Sequence, residues 1–213
     1  MRPQVAATVF GCASVLLSYP EQDFASDVAA VYEALERLPG SPARAQLLSV
    51  AEWLASMPTV EAAKTYVDVF DLSREICLYL TYYRHGDTRE RGMALTALVN
   101  AFRDAGFGVV PGELPDYLPA LLELAAASMA GATVLGEHRM ALDALHAALV
   151  KKDTPYAEAV AAVRSALPGP SRKDREALRW YREDGPPPEK VGLEPFAPPE
   201  TLGQAVTMGA TRR

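Results

Sequence analysis

The chain has 213 residues, 49% of them hydrophobic, and a formal net charge of −6 from 21 basic and 27 acidic residues. This length suits one sizeable domain with a substantial core, and the composition is that of an ordinary globular protein. Affinity for nucleic-acid phosphates depends on clustered Lys and Arg, so the acidic balance argues against a nucleic-acid binder and favours a basic peptide as ligand.

Cysteine usage and the amino-terminal sequence both favour a cytoplasmic protein. Cys12 and Cys77 are the only cysteines, too few for a tetrahedral thiolate site and not in a Cys-x-x-Cys motif. They could form one disulfide, but two free buried thiols are the better interpretation. The apolar segment from Met1 lacks a charged n-region and a small-residue cleavage site and is too short to span a membrane, so we predict a first helix there.

Helical spacing recurs along the chain, whereas strand-like alternation does not persist, which predicts an all-α fold. Tyr19-Pro20 ends the first helix and Pro39-Gly40 ends the second, since the residue before proline avoids the helical region. The helices predicted up to Phe70 are 3–19, 21–38, 42–57 and 59–70.

The next predicted helix begins at Asp71 or Ser73 and stops at Gly86. Its residues between Ile76 and Tyr83 are apolar on all sides, as expected of a helix at the centre of a fold. The helices predicted after it are 87–106, 116–129, 133–150, 155–167 and a charged, marginal helix 171–182.

Beyond Gly185 the sequence becomes too rich in proline for a helix and has few core residues. We therefore predict an all-α domain over residues 1–184 and an extended or disordered Pro-rich tail over 185–213. Docking of Leu193 and Phe196 on the domain is the less favoured alternative.

The segment Tyr66-Val-Asp-Val-Phe-Asp71 places two aromatic side chains on one helix face, because Tyr66 and Phe70 lie four positions apart. They could be core aromatics or could line a groove. Asp71 stands where the following helix needs an N-cap, and capping is favoured over a ligand-facing carboxylate.

Three tyrosines, Tyr79, Tyr82 and Tyr83, follow in the predicted central helix. Tyr79 and Tyr83 would share one helix face while Tyr82 points elsewhere, so the three cannot be equally buried. Tyrosine is common at wet interfaces because it combines apolar area with a polar tip, and we expect at least one of them to line a groove.

The block from His85 to Gly92 reads as a helix stop followed at once by a helix start, with Asp87 as the N-cap. Arg89 and Arg91 fall in the first turns of the new helix, where cations oppose the macrodipole. They require either a ligand or a salt bridge to a nearby acid, and the candidate acids are Asp68, Asp71 and Glu75.

The block from Glu113 to Pro119 contains two prolines that stiffen a loop before a helix. Asp116 suits the N-cap and Pro119 suits the first turn, while Pro115 rigidifies the approach. Capping explains Asp116 but leaves Glu113, beside Tyr117, without a structural role. Preorganised acids of this kind suit the capture of Arg or Lys on a partner.

Cofactor sites have little support in the sequence. Asp143 and His146 form only half of a bundle metal motif, and His138 adds no second half. Phosphate-loop and dinucleotide motifs are missing from the sequence, as is a nucleophile paired with a base. We therefore predict no metal, no cofactor and no catalytic role.

The Tyr66–Asp71, His85–Gly92 and Glu113–Pro119 blocks occur in the same order in the NarJ family, which this chain resembles. These proteins are respiratory nitrate reductase assembly chaperones within the all-helical TorD-like group. The resemblance is strong over Tyr66–Glu123, weaker over Phe10–Pro20 and too thin to use from Gly131 onward. Some members carry histidine where this chain has Tyr117, so a role that needs an imidazole would not transfer.

The resemblance implies a single-domain helical bundle of the TorD/NarJ type that acts in the cytoplasm. Such chaperones bind the N-terminal peptide of the nitrate reductase catalytic (alpha) subunit and hold the apo-enzyme until molybdenum cofactor is inserted. A chaperone for another molybdoenzyme and a helix-binding adaptor remain alternatives, and a helical enzyme would need a polar catalytic cluster. We expect no stable membrane association and a monomer rather than a dimer.

The candidate peptide-binding residues are those that the three blocks and the tyrosine cluster place near helix ends and loops. They are Tyr66, Phe70, Asp71, Tyr79, Tyr82, Tyr83, His85, Arg89, Glu113, Pro115, Asp116, Tyr117 and Pro119.

Overall fold

The computed structural model describes residues 2–73, 75–110 and 112–187. Regular structure in these residues is entirely helical and forms a single all-α domain, as predicted. The α-helices are α1 (Pro3–Leu17), α2 (Phe24–Glu36), α3 (Pro42–Ala55), α4 (Thr59–Tyr66), α5 (Tyr82–His85), α6 (Arg89–Asp104), α7 (Leu118–Ala127), α8 (Met129–Glu137), α9 (Arg139–Lys151), α10 (Tyr156–Ala166) and α11 (Arg172–Asp184).

The helix starts at Ser41 and Ser171 lie where the sequence predicts them, whereas Asp87 is not the predicted cap: the N-cap of α6 is Thr88. The Ser41 side chain accepts a hydrogen bond from the Arg44 N–H at 3.2 Å, and Pro42 occupies the first turn of α3. Ser171 and Asp174 form a capping box that stabilises the start of α11, although this charged helix has no buried residues.

The centre of the domain is α1, which packs against α2, α3, α7 and α10. α1 and α7 are antiparallel: the Ser14 hydroxyl donates to the Pro119 carbonyl at 2.9 Å, while Gly11 faces Ala126 one to two turns further along α7. This pairing brings the end of α1 next to the start of α7, where the candidate site lies.

The predicted central helix over 71–86 is wrong, because only its last turn, α5, is helical. Residues 76–80 form an irregular segment that meets the start of α7 through an isolated antiparallel bridge between Tyr79 and Tyr117. The Leu80 N–H donates to the Asp116 carbonyl at 2.9 Å, and the Leu118 N–H donates to the Leu78 carbonyl at 2.8 Å. These long-range bonds replace intrahelical ones, so the apolar residues are buried on an irregular segment instead of a helix.

The helix predicted over 59–70 changes its winding before it ends. α4 stops at Tyr66 and continues as a π-helical turn, Val67–Asp71, in which the Leu72 N–H donates to the Val67 carbonyl at 3.0 Å. Asp71 is the last residue of this turn and not the N-cap of a following helix. π-helical turns are rare in proteins, and those that occur often lie at functional sites.

Two further predicted helices differ from the structure. The helix expected over 133–150 is two helices, α8 and α9, separated at His138, whose ψ of 19° interrupts the helical geometry. α8 begins earlier than predicted because Ser128 caps it, accepting from the Gly131 N–H at 2.9 Å. The helix expected from residue 116 begins at Leu118.

α11 ends at Asp184, next to the boundary predicted between domain and tail. Gly185 has a φ of +75°, which suits a residue that terminates a helix. Residues 188–213 lie outside the described residues, and so do Leu193 and Phe196. The division of the chain at this boundary therefore stays a prediction.

Within the described residues, no helix is both long enough and apolar enough to cross a bilayer.

Candidate functional site

An open groove of about 630 Å³ lies where the end of α1, the π-helical turn and the start of α7 meet. We call it the aromatic groove, after the tyrosine and phenylalanine rings in its walls. It is lined by Tyr19, Tyr66, Phe70, Asp71, Ser73, Ile76, Cys77, Leu78, Tyr79, Tyr82, Glu113 and Tyr117.

One wall is a cluster of aromatic rings carried by α4 and the π-helical turn. The ring of Tyr66 lies 4.7 Å from that of Phe70 and meets Tyr19 edge-on at 5.4 Å. Behind them, the buried Tyr156 ring packs against Phe70 at 4.8 Å. Edge-on and tilted pairs at these distances are favourable for aromatic rings, so this wall is a rigid apolar surface.

Asp71 ends this wall as an exposed carboxylate. Among the described residues it forms no ion pair. Because it follows Phe70 directly, it places a negative charge at the border of the aromatic surface.

The opposite wall consists of Tyr79, Glu113 and Tyr117. The rings of Tyr79 and Tyr117 are 5.6 Å apart, on the two residues that form the antiparallel bridge. The Glu113 carboxylate accepts a hydrogen bond from the Leu114 N–H at 3.0 Å and a longer one from the Tyr79 hydroxyl at 3.4 Å. Burial and the neighbouring Glu113 raise the pKa of Tyr79 to about 12, so its hydroxyl remains a donor at neutral pH.

The two walls are joined by a hydrogen bond between the Tyr66 and Tyr117 hydroxyl oxygens, which are 2.9 Å apart. Burial raises the pKa of both phenols above the usual value. Both are therefore neutral, and the bond holds α4 at a set distance from the start of α7.

Asp116 lies behind this wall and does not line the groove. Its side chain is fully buried, and its Oδ2 accepts from the Thr81 N–H at 3.2 Å and from the Thr81 hydroxyl. The prediction that Asp116 caps α7 is wrong, because the N-cap position is Tyr117 and the cap has no side-chain hydrogen bond. The carboxylate instead ties Thr81 to the start of α7.

The described residues give the groove a negative charge. Asp71 and Glu113 contribute carboxylates, and neither forms an ion pair with a described residue. Among the described residues that line it, there is no Lys, Arg or His. A surface of rings and phenol hydroxyls with two carboxylates complements a ligand that is partly apolar and positively charged.

The structure brings together part of the predicted site. Of the candidate residues, those that line the groove are Tyr66, Phe70, Asp71, Tyr79, Tyr82, Glu113 and Tyr117. Those that lie outside it are Tyr83, His85, Arg89, Pro115, Asp116 and Pro119.

Of the three clustered tyrosines, Tyr83 lies in the core and the other two line the groove. The Tyr83 ring is buried in the core beside Tyr181, and its hydroxyl accepts a hydrogen bond from the Cys77 N–H at 3.0 Å. The predicted common face of Tyr79 and Tyr83 is wrong, since Tyr79 is not helical. Tyr79 and Tyr82 are half-buried and turn to the groove instead.

Arg89 and Arg91 also differ from expectation. Arg89 is exposed, while Arg91 pairs with Asp87 at 2.9 Å and lies 3.6 Å from Asp116. The acids proposed as partners are engaged elsewhere or exposed: Asp68 pairs with Lys152, Glu75 pairs with Lys151, and Asp71 borders the groove. The positive charge of Arg91 is therefore compensated by Asp87 and Asp116.

Several groove residues carried no signal of function in the sequence, namely Tyr19, Ser73, Ile76, Cys77 and Leu78. Tyr19 is marked only as a helix end before proline. Cys77 is a free, half-buried thiol whose pKa is raised by burial, whereas Cys12 is buried in the core and burial raises its pKa to about 11. Both cysteines are free, as the sequence favoured.

The half-motif for a metal site has a structural use. Asp143 accepts from Arg139 at 3.1 Å and from Arg164 at 2.6 Å, so its carboxylate is committed to two arginines. Within the described residues, no group of three or more His, Cys, Asp and Glu side chains is arranged to hold a metal ion.

Comparison with known proteins assigns the chain to a family. The model of the nitrate reductase delta subunit family matches residues 22–162, which include both walls of the groove except Tyr19. The chain belongs to this family.

Two relatives carry names that describe assembly of nitrate reductase. The chain is 33% identical over 160 residues to the probable nitrate reductase molybdenum cofactor assembly chaperone NarJ of Bacillus subtilis, covering 74% of this chain and 87% of that protein. It is 31% identical over 149 residues to the nitrate reductase molybdenum cofactor assembly chaperone NarJ of Escherichia coli K12, covering 68% of this chain and 63% of that protein.

A longer relative is the nitrate reductase-like protein NarX of Mycobacterium tuberculosis H37Rv, to which the chain is 40% identical over 157 residues. The alignment covers 73% of this chain but spans only 24% of NarX. The similarity therefore concerns one part of that protein.

Proposed function

We propose that this protein is an assembly chaperone that binds the N-terminal peptide of the nitrate reductase catalytic subunit and holds the apo-enzyme for molybdenum cofactor insertion. The observation that carries this proposal is the aromatic groove, with its apolar walls and its two carboxylates that form no ion pair with a described residue. The names of the relatives, which are assembly chaperones of nitrate reductase, support the same role.

The groove suits an amphipathic, basic helix laid along it. Apolar side chains of such a helix would pack on Tyr66, Phe70 and Tyr117, while Arg or Lys at its edges would pair with Asp71 and Glu113. Aromatic anchors supply most of the affinity at such interfaces, and charge complementarity supplies orientation and association rate.

We further propose that the protein is not an enzyme. Its groove presents phenols that stay protonated at neutral pH and a thiol whose pKa burial raises, which is the opposite of an activated nucleophile. We also propose that it acts in the cytoplasm, without stable membrane association, and as a monomer rather than a dimer.

Calorimetry tests the proposal directly with a synthetic peptide that copies the first helix of the catalytic subunit. We expect binding with a negative heat-capacity change, the mark of apolar burial. Asp71→Asn with Glu113→Gln should weaken binding, whereas Glu61→Gln, an exposed acid in the first turn of α4, should not. Absence of binding at high micromolar peptide would refute the proposal.

A second experiment separates a maturation chaperone from a helix-binding adaptor. The protein is used to capture the catalytic subunit before and after cofactor loading. A maturation chaperone retains the apo-subunit and releases the loaded one, whereas an adaptor retains both. Competition by the corresponding peptide of another molybdoenzyme tests whether nitrate reductase is the partner.

A further inference from the structure

We propose that Arg91 is the positioning residue of the aromatic groove: its guanidinium holds the wall formed by residues 78–82 against the start of α7 and does not contact the peptide. The effect on peptide affinity rests on the function proposed above. The effect on groove geometry does not.

Arg91 extends from the first turn of α6 into the protein, and its side chain is only 17% exposed. Its Nε donates to the Thr81 hydroxyl at 3.2 Å, and its Nη1 pairs with Asp87 at 2.9 Å. Its Nη2 lies 3.6 Å from Asp116 Oδ2, and its guanidinium carbon lies 5.9 Å from the centre of the Tyr82 ring. Four neighbours on three segments are thus gathered around one cation.

The buried charge of Asp116 is compensated by the Arg91 guanidinium. The Asp116 side chain is fully buried, and no described residue other than Arg91 forms an ion pair with it. The neighbouring His138 does not replace Arg91, because burial lowers the pKa of His138 to about 4 and leaves it neutral at pH 7. Arg84 is turned toward Asp174. Without Arg91 the buried carboxylate would lack compensation, which is strongly unfavourable.

Asp116 is also connected to the groove by hydrogen bonds with the backbone of residues 80 and 81. The Asp116 carbonyl accepts a hydrogen bond from the Leu80 N–H, and its side chain accepts one from the Thr81 N–H. The Leu118 N–H in turn donates to the Leu78 carbonyl. The groove-lining side chains in or beside these segments are Leu78, Tyr79, Tyr82 and Tyr117. Displacement of Asp116 would therefore move Tyr79 and Tyr117, two of the three residues of the opposite wall.

Arg89 offers a matched control two positions away in the same helix. It is exposed and, within the described part of the chain, makes no hydrogen bond or ion pair. Both arginines lie in the first turn, where a cation opposes the macrodipole, so the two substitutions relieve a similar repulsion. Only the Arg91 substitution removes the contacts to Thr81 and Asp116.

The test uses the 213-residue chain with Arg91→Met, Arg91→Lys and Arg89→Met. Well below the melting temperature of each variant, Arg91→Met should raise the Kd for the synthetic peptide tenfold or more. Arg89→Met should change the Kd less than twofold, and Arg91→Lys should lie between them because lysine keeps the charge but not the fork of donors.

Cys77 provides a readout that needs no peptide. It lines the groove next to Leu78, whereas Cys12 is buried, so maleimide labelling reports access to Cys77 and the Cys77→Ser variant gives the background. Burial raises the pKa of the Cys77 thiol and the Arg91 charge offsets part of this rise, so loss of that charge by itself would slow labelling. An opened wall would instead accelerate it, and we expect severalfold faster labelling of Arg91→Met.

The double variant Arg91→Met with Asp116→Asn covers the case in which Arg91→Met does not fold, since it leaves no uncompensated buried charge. It should still label Cys77 faster than the parent does, because Thr81 and Tyr82 lose their contacts with the Arg91 guanidinium. Labelling at or below the parent rate in the folded variant, with an unchanged Kd, would overturn the assignment of Arg91. If the parent does not bind the peptide, the proposed function fails, and the labelling rates still decide the role of Arg91.

Discussion

The hydroxyl oxygens of Tyr66 and Tyr117 lie 2.9 Å apart, although the residues are 51 positions apart in the chain. One residue ends α4 and the other precedes α7, so a single hydrogen bond joins two of the sequence blocks that indicated function. Both rings also face the groove. The bond therefore contributes to stability and to the shape of the candidate site together.

Removal of either hydroxyl should leave the other without its partner. We predict that Tyr66→Phe and Tyr117→Phe each lower the free energy of unfolding by about 1 kcal/mol, and that the double variant loses less than the sum. Tyr156→Phe is the control, because the Tyr156 hydroxyl is buried without a hydrogen-bond partner in the described residues and its removal should be neutral or stabilising. Urea denaturation measures all four, and full additivity would show that the two hydroxyls do not interact.

Glu113 is the acid whose position in the groove predicts a role in binding. Glu113→Lys should weaken binding of the synthetic peptide while leaving the melting temperature nearly unchanged, since Glu113 caps no helix. The difference from the parent should shrink as salt rises, because exposed charges are screened. Glu137→Lys, an exposed acid of α8, is the control for net charge. Equal binding by Glu113→Lys at low salt would place recognition elsewhere.

Asp116 should respond in the opposite way. A lost N-cap would lower stability by about 1 kcal/mol, but Asp116 is a buried partner of Arg91 and Thr81, and breaking such a pair costs about 3 kcal/mol or more. We therefore predict a large loss for Asp116→Ala in urea denaturation. A loss of only 1 kcal/mol would mean that the network contributes little.

The buried carboxylate of Asp143 should be a second stability determinant. It bridges Arg139 and Arg164, and Arg139 also donates to the carbonyl of Pro168 at 2.7 Å, just after α10. Asp143→Ala should lower the free energy of unfolding by about 3–5 kcal/mol, since two arginines lose their partner. Glu176→Ala, which breaks a solvent-exposed pair with Arg172, should change it by less than about 1 kcal/mol. Similar losses for both would contradict the importance of burial.

Stability should fall in acid because of His138. Burial lowers its pKa to about 4 in the folded chain, so between pH 6.5 and 4 the unfolded chain binds more protons at this residue. The stabilisation from keeping His138 neutral is present above pH 6.5 and is lost as pH falls toward 4. We predict that His138→Gln flattens this part of the profile of unfolding free energy against pH. An unchanged slope would show that His138 titrates normally.

Removal of residues 188–213 should leave thermal stability nearly unchanged. The last described helix ends at Asp184, and the sequence beyond it has few apolar residues. The shortened chain keeps Pro187, whose carbonyl approaches Gly86 so closely that a Cβ there would lie 2.1 Å from it. We predict a melting temperature within about 2 °C of the parent, which corresponds to less than about 1 kcal/mol. A fall of many degrees would show that Leu193 and Phe196 pack on the domain.

Comparison of the predicted and observed helices shows which signals are local. Ser41 with Pro42 and Ser171 with Asp174 start helices at the predicted places, because a cap depends only on residues within one turn. The all-α class followed from spacing for the same reason. By itself, the sequence determined the fold class, most helix starts and the blocks that contain the candidate site.

Only the tertiary structure decided how those blocks are used. An apolar run such as 76–83 can be buried as a helix or as an irregular segment, and the choice depended on the backbone of residues 116–118, distant in the chain. The same pairing buried Asp116, which local capping rules placed at a helix end, while the packing of α1 on α7 brought Tyr19, just beyond α1, to the groove. Hydrogen bonds between distant segments satisfy the same backbone groups as a helix does, so no local pattern distinguishes the two outcomes.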